Sequence, residues 1–191
     1  MAIWNADLFE TLSVFVAIEH GEQTFNQAPY YLHLTQVCSR AMRAALENPA
    51  LDVDKIMACA LLHDVIEDCA NTQEDHDRIA HFITKQCGDD ILQGVLALSK
   101  KEMLGPHGGK DKRAMMQDSL QRICQQSSEV WVVKLADRIC NLQEPPSYWD
   151  STKRKNYVEE AKLIHQTLHT ASPLLAQELQ NRIKNYHRYI Q

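Results

Sequence analysis

Apolar residues recur every three or four positions along most of this chain, as at Ile79, Phe82 and Ile83. This spacing places them on one face of an α-helix. Only six glycines and six prolines interrupt the pattern. The predicted helices span 6–20, 32–47, 54–69, 73–86, 89–99, 111–126, 129–142, 151–170 and 173–190, with ends good to a few residues. We therefore expect an all-α fold, a single-domain bundle of about eight to nine helices over residues 1–191.

Composition narrows the class of protein further. A hydrophobic content of 45% suits one compact domain with a full-sized core. The longest apolar run, Ile56 to Leu62, is far too short to cross a bilayer, and MAIWNADLFE carries acidic residues where a secretion signal needs positive charge. The net charge of −5 argues against a broad nucleic-acid surface, although a small anionic ligand is compatible with it. We expect a cytoplasmic protein with a small-molecule partner, no broad nucleic-acid surface and no membrane association.

The cysteines occur singly, without the paired C-x-x-C spacing of a zinc knuckle. Most have apolar neighbours, which favours buried thiols that pack in the core over a disulfide framework. The six are Cys38, Cys59, Cys69, Cys87, Cys124 and Cys140.

The stretch LLHDVIED, from Leu61 to Asp68, ends an apolar run with a histidine and three carboxylates. Residues four apart share a face of a helix, so Glu67 is predicted beside His63. Asp68 is predicted beside Asp64 for the same reason. Three neighbouring carboxylates at the edge of a core repel one another or take up protons. A divalent cation would resolve this conflict, and the stretch therefore predicts part of a metal site.

A second His-Asp pair, His76-Asp77, lies in the polar segment NTQEDHDRIA. Such a dipeptide arises readily by chance in a chain with nine histidines. The acidic and basic neighbours are typical of a solvated helix start, and we therefore reject this pair as a site.

Further ligands must come from elsewhere in the chain. His33 opens a predicted helix whose apolar positions would turn it inward, and Asp137 follows an apolar run in VWVVKLADRICNL. Each has a simpler alternative. His33 could be a core histidine bonded to a carbonyl, and Asp137 could be an ion-pair partner of Lys134 or Arg138.

The ordered set of His33, His63-Asp64 and Asp137 resembles the H…HD…D signature of the HD-domain metal-dependent phosphohydrolases. More narrowly, HGEQTFNQAPYYLH, ALLHDVIED, GVLALSK and VKLADRICNL are similar to segments of the hydrolase domain in RelA/SpoT proteins and their small stand-alone homologues. The similarity runs in the correct order over about residues 17–160.

This resemblance implies an HD-type helical bundle that binds one divalent metal ion, Mn²⁺ in such relatives. Its ligands would be His33, His63, Asp64 and Asp137. Two imidazoles and two carboxylates by themselves suit Mn, Fe, Zn or Co. Glu67 and Asp68 match the catalytic pair of the family. The implied reaction releases pyrophosphate from the 3′ position of the alarmone (p)ppGpp by attack of a metal-activated water.

The same resemblance implies four substrate contacts: Lys100, Asn141, Lys153 and Tyr157. Asn141 could instead be a capping or surface amide, and Lys153 could belong to a solvated basic face. Lys100 begins the basic segment KKEMLGPHGGKDKR, which is either a lid over the site or a solvated connector.

One departure from the family pattern affects the expected substrate. Relatives that hydrolyse the alarmone usually carry an Arg-Lys pair just before PY-x-x-H, where this chain has Gln23, Thr24, Phe25 and Asn26. Phe25 could stack on a base, but we predict that it belongs to the core. Another phosphorylated nucleotide, such as a nucleoside monophosphate or a nicotinamide dinucleotide phosphate, is therefore an alternative substrate.

Two further classes of function remain open. A non-catalytic nucleotide sensor would use the pocket for binding alone. The presence of Glu67 and Asp68 argues against a sensor, because binding alone does not require groups that activate a water. An interaction protein is suggested only by the apolar stripe of Ile183, Tyr186 and Ile190, which we expect to pack on its own domain, with a dimer contact as the alternative.

Overall fold

The computed structural model describes residues 4–100 and 111–190. Within these ranges the chain forms ten α-helices, one short hairpin and two 3₁₀ turns. In chain order the elements are α1 (Ala6–His20), β1 (Thr24–Phe25), β2 (Ala28–Pro29), α2 (Tyr30–Glu47), α3 (Val53–Leu62), α4 (Val65–Cys69), α5 (Gln73–Cys87), α6 (Asp89–Leu98), α7 (Lys112–Cys124), α8 (Ser128–Asn141), α9 (Ser151–Leu168), the 3₁₀ turn His169–Ala171, α10 (Pro173–Tyr186) and the 3₁₀ turn His187–Tyr189. The predicted all-α fold class is confirmed.

Helix α3 lies at the centre of the bundle. It packs against α1, α2, α6 and α8, and every residue from Ile56 to Leu62 is buried. A helix that is surrounded on all sides is apolar on all sides, which explains the uninterrupted run in the sequence. Asp52 begins α3 by accepting hydrogen bonds from the backbone N–H groups of Asp54 and Lys55, at 3.0 and 3.1 Å.

Helix α8 is the second central element. Its residues Val132–Cys140 are buried without a break, and they include the charged residues Lys134, Asp137 and Arg138. Charged side chains are rarely buried to this degree unless they are paired or bind a ligand. The packing of α8 against α2 and α3 brings these groups to the side of the bundle where α3 ends.

The prediction of one continuous helix over 54–69 is wrong, because the helix is interrupted at His63 and Asp64. Adjacent residues on an α-helix point about 100° apart. The interruption allows His63 Nε2 and Asp64 Oδ2 to approach within 2.9 Å. The Asp68 N–H still donates to the Asp64 carbonyl at 2.8 Å, so the predicted one-turn spacing between these two aspartates is kept.

A two-stranded hairpin lies between α1 and α2, and the sequence did not predict it. Thr24 pairs with Pro29 and Phe25 with Ala28. The two turn residues, Asn26 and Gln27, have φ values of 50° and 65°. This type of turn usually contains glycine, and without one no hairpin could be predicted here.

The C-terminal apolar stripe and the cysteines lie largely as the sequence predicts. The apolar stripe of α10 packs on its own domain, since Ile183 is 8% exposed and Tyr186 is 2% exposed. All six cysteines are free thiols, as expected; only Cys124 is exposed rather than packed inside. Among the described residues, no helix combines the length and apolar character needed to cross a bilayer. The predicted lid or connector falls mostly on residues 101–110, outside the described part of the chain.

Candidate metal centre and active site

Four predicted ligands come together where α2, α3 and α8 meet. His33 lies one turn into α2, His63 ends α3, Asp64 follows it, and Asp137 lies in α8. His33, His63 and Asp137 are buried, at 1%, 2% and 5% exposure. The Asp64 side chain is 20% exposed, so solvent reaches the cluster beside Asp64.

The ligand atoms of these side chains face one another. His33 Nε2 lies 3.8 Å from Asp64 Oδ2 and 3.7 Å from Asp137 Oδ1. His63 Nε2 lies 2.9 Å from Asp64 Oδ2 and 3.7 Å from Asp137 Oδ1. One ligand atom each from His33, His63 and Asp137 lies within 4.8 Å of the others, a spacing that suits a single metal ion.

The histidine nitrogens in this cluster lack the partners that buried polar atoms normally have. Within the described residues, both ring nitrogens of His33 and Nε2 of His63 are without a hydrogen bond. The 2.9 Å approach of His63 Nε2 to Asp64 is close but not aligned for one. Buried polar atoms without partners are uncommon in proteins, and a cation at their centre would supply the missing partner.

His63 is oriented for such a role by the backbone. Its Nδ1 lies 2.8 Å from the Ala60 carbonyl, which can only accept a hydrogen bond. Nδ1 must therefore carry the proton, which leaves the Nε2 lone pair of a neutral ring facing the cluster. Histidine ligands to metals are commonly fixed in this way.

Asp137 forms the predicted ion pair and also faces the two histidines. Its Oδ2 accepts a 3.0 Å bond from Lys134 Nζ, as an ion pair. Its Oδ1 faces the two histidines and also accepts a hydrogen bond from the Asn141 side-chain amide. Arg138 points elsewhere, to Glu160 at 3.2 Å.

The neighbouring charges shift the pKa values of His63 and Asp137. Burial lowers the pKa of His63, but the adjacent Asp64 carboxylate outweighs this effect and raises it to about 9. Burial raises the pKa of Asp137, but the Lys134 ammonium together with His33 and His63 outweighs burial and holds this pKa well below its usual range. A metal ion held in this cluster would therefore compete with a proton for His63 Nε2.

A hydrogen-bonded group from α1, the hairpin and α2 supports the two aspartates of the HD stretch. Tyr30 donates its hydroxyl to Asp64 Oδ2 at 2.6 Å, and Gln23 donates its amide to Asp68 Oδ2 at 2.8 Å. His20 Nδ1 forms a 2.8 Å hydrogen bond with Gln23 Oε1, which orients Gln23, and the His20 ring stacks on the Tyr30 ring. Burial and the Asp64 charge raise the pKa of Tyr30 far above its usual range, so it remains a neutral donor. Sequence reasoning missed these three residues.

Glu67 and Asp68 lie beside the cluster in different surroundings. Glu67 accepts two bonds from Lys100, from the backbone N–H at 2.8 Å and from Nζ at 3.0 Å. Burial and the charge of Asp64 raise the pKa of Asp68. The rejected pair His76-Asp77 lies on α5, where the two side chains are 3.5 Å apart and Asp77 accepts a 2.8 Å bond from Gln73.

The other predicted substrate contacts lie around the end of α8. The Tyr157 hydroxyl donates to the Asn141 carbonyl at 3.3 Å, and the Arg138 guanidinium lies 4.5 Å from the centre of the Tyr157 ring. The Lys153 ammonium lies 4.3 Å from the centre of the Trp149 ring. No described hydrogen bond or ion pair joins Lys153 to the four-residue cluster.

Phe25 was predicted to be part of the core, and this is wrong. The hairpin holds its ring 4.7 Å from the His33 ring, at the wall of the site, and it is not among the residues that pack on the described core. The reason is that the short strand β1 carries the residue across the start of α2 instead of into the bundle. The neighbouring Thr24 and Asn26 are exposed, and none of residues 23–26 is basic.

This chain is similar to one protein family and to several proteins named as pyrophosphohydrolases. The family model described as HD domain matches residues 30–142. A guanosine-3′,5′-bis(diphosphate) 3′-pyrophosphohydrolase of Vibrio cholerae is 30% identical over 154 residues, which are 81% of this chain and 19% of that protein. The pyrophosphohydrolase MESH1 of Drosophila melanogaster is 26% identical over 171 residues, 86% of each chain.

The chain thus spans about a fifth of the length of its bacterial relative and most of the length of the fly protein. A solved structure, described as a metazoan ortholog of SpoT that hydrolyzes ppGpp, superimposes with a TM-score of 0.74 over 100% of both chains. At 20% identity this similarity shows a shared fold.

Proposed function

The chain belongs to the HD domain family, and from this we propose that it is a metal-dependent phosphohydrolase acting on a phosphorylated nucleotide. One observation carries the proposal. Buried side chains from α2, from the end of α3 and from α8 come together, namely His33, His63 and Asp137. Within the described chain, both nitrogens of His33 and Nε2 of His63 have no hydrogen-bond partner. Buried imidazole and carboxylate groups in this arrangement suit a divalent cation and have no comparable structural use.

The proposed ligands are His33, His63, Asp64 and Asp137, and the proposed ion is Mn²⁺, in line with the family resemblance. A divalent cation held there would polarise a phosphoryl oxygen and increase the acidity of a coordinated water. The protein supplies rigidity. The Ala60 carbonyl orients His63. Lys134 holds Oδ2 of Asp137, and the Asn141 amide holds Oδ1.

Glu67 and Asp68 are the proposed catalytic pair. Lys100 holds the Glu67 carboxylate in one orientation, and a general base must be positioned in this way. Asp68 has a raised pKa and is held by Gln23, which suits a group that carries a proton during the reaction. Asn141, Lys153, Tyr157 and Lys100 remain the proposed substrate contacts.

The first candidate substrate is (p)ppGpp, with release of pyrophosphate from its 3′ position. Relatives that bear this activity in their names align over 81% and 86% of the chain. The second candidate is a different phosphorylated nucleotide. It is favoured by the hairpin, where Phe25 packs on His33 and no basic pair is available to bind guanine.

A substrate panel separates these candidates. We expect the Mn²⁺-loaded protein to release pyrophosphate, not orthophosphate, from ppGpp, measured by ion chromatography against GDP, deoxynucleoside monophosphates and NADPH. Orthophosphate release from another member of the panel would favour the second candidate. Binding of ppGpp without any turnover would instead indicate a sensor.

Tyr30 offers a test of the metal site that does not depend on the substrate. Replacing Tyr30 with phenylalanine removes the hydroxyl that holds Asp64 and leaves the ring in place. Losing such a supporting bond typically costs about 10–100-fold in metal affinity. We therefore expect Mn²⁺ binding, measured by calorimetry, to weaken by this factor.

The neighbouring Tyr31 gives a matched control, because Tyr31 packs on the core and makes no described side-chain hydrogen bond. Tyr31→Phe should leave Mn²⁺ affinity unchanged. Equal affinities for the two variants would show that Tyr30 does not support a metal ligand.

A further inference from the structure

A cavity of about 520 Å³ lies between α2, α10 and the segment that follows α8. Its lining includes Gln36 and Arg40 of α2, Gln143 after α8, and Arg182, Tyr186 and Arg188 of the C-terminal region. None of the four proposed metal ligands, nor Glu67 or Asp68, lines it. Its volume falls within the range of small-molecule sites, about 300–1,000 Å³.

The wall of this cavity is positively charged, although the chain as a whole carries −5. Three arginines line it against one acidic residue, Glu144. Across residues 4–100 and 111–190, neither Arg182 nor Arg188 forms an ion pair with a carboxylate. On its rim, Arg40 and Arg43 share the single carboxylate of Glu178, so one positive charge remains uncompensated there as well.

Two polar atoms in this wall are buried without a partner. Tyr186 is 2% exposed, and within the described chain its hydroxyl makes no hydrogen bond. The same holds for Nε of Arg40. A donor that is removed from solvent and left unbonded costs free energy, so a stable protein normally provides it with a partner. Both residues line the cavity.

We propose that this cavity binds a small molecule bearing a phosphate or diphosphate group, at a site separate from the metal centre. Guanidinium groups bind phosphate oxygens through charge-assisted and frequently bidentate hydrogen bonds. The tyrosine hydroxyl and the amides of Gln36 and Gln143 add neutral donors. Three guanidinium groups facing one carboxylate favour an anion with several oxygens.

The cavity is connected to the metal centre through two shared elements. Arg40 lies two turns beyond His33 on α2. Gln143 accepts a hydrogen bond from the Asn26 amide of the hairpin at 3.4 Å, and the same hairpin holds Phe25 against His33. A bound anion would therefore touch residues on the elements that form the wall of the proposed active site.

Inorganic pyrophosphate is the probe that tests this site. Calorimetry of the full chain in the presence of a chelator excludes binding through a metal ion and requires no turnover. We expect saturable binding of pyrophosphate, and we expect Arg182→Gln combined with Arg188→Gln to weaken it by at least about tenfold. Because this experiment involves no hydrolysis, its failure would leave the proposed function untouched.

The matched control is Lys184→Gln, because Lys184 is a basic residue on the same helix as Arg182 and does not line the cavity. It should bind pyrophosphate as the unaltered chain does. Tyr186→Phe removes only the unbonded hydroxyl, so it should fold normally and still bind more weakly. Equal binding by all variants, or loss of binding in His33→Ala instead, would overturn the proposal.

Discussion

Replacing His33 with alanine is expected to abolish stoichiometric metal binding and to lower hydrolysis at least about 1,000-fold. A bound cation contributes several kcal/mol of charge stabilisation in such reactions, and about 4 kcal/mol corresponds to this factor. His33 is the ligand best suited to the test, because neither of its nitrogens makes a described hydrogen bond that the substitution would break. Metal content by elemental analysis and initial rates with ppGpp measure the two effects.

Asp137→Ala would be a poorer choice, because it would leave the buried ammonium of Lys134 without its partner. Removing one member of a buried ion pair typically costs about 3–5 kcal/mol of stability, so loss of activity could reflect unfolding. The control is His76→Ala, which alters the other His-Asp pair at the surface. If His33→Ala retained metal and turnover at the level of His76→Ala, the proposed ligand set would be wrong.

Replacing Glu67 with glutamine should produce the second large effect, a fall in kcat of about 10²–10⁴-fold with metal binding retained. The substitution keeps the size of the side chain and removes its ability to accept a proton. It also weakens the two bonds from Lys100, which hold the carboxylate beside the cluster. Single-turnover rates at saturating Mn²⁺ measure the chemical step directly.

Glu159→Gln is the matched control, since Glu159 also pairs with a lysine, Lys162 at 2.8 Å, on the exposed surface of α9. It should leave kcat unchanged. Turnover by Glu67→Gln at the rate of Glu159→Gln would remove Glu67 from the proposed mechanism. Loss of the metal together with turnover would show that Glu67 acts as a ligand.

The helical fold could be predicted because its signals are local. Apolar spacing, the uninterrupted run of α3 and the capping residue Asp52 each depend on neighbours within a few positions. The hairpin before α2 could not be predicted, because Asn26 and Gln27 adopt left-handed conformations without the glycine that normally signals them. The interruption at His63 has no local breaker residue either.

The candidate site was predictable only where its residues form a recognisable order. His33, His63-Asp64 and Asp137 were grouped through a family resemblance, because spacing alone cannot bring residues on three helices together. The supporting contacts depend on tertiary structure. Gln23 reaches Asp68 across 45 positions, and no sequence pattern encodes that pairing. Tyr30 had one usable signal, its position three residues before His33 on the same helix.

The central claim is that four side chains hold one divalent ion, and the most direct test is an anomalous difference map from a crystal of the protein soaked in Mn²⁺. We predict one strong peak per chain, within bonding distance of His33 Nε2, His63 Nε2 and a carboxylate oxygen each of Asp64 and Asp137. A map without a peak there, or with its only peak at another place, would contradict the account.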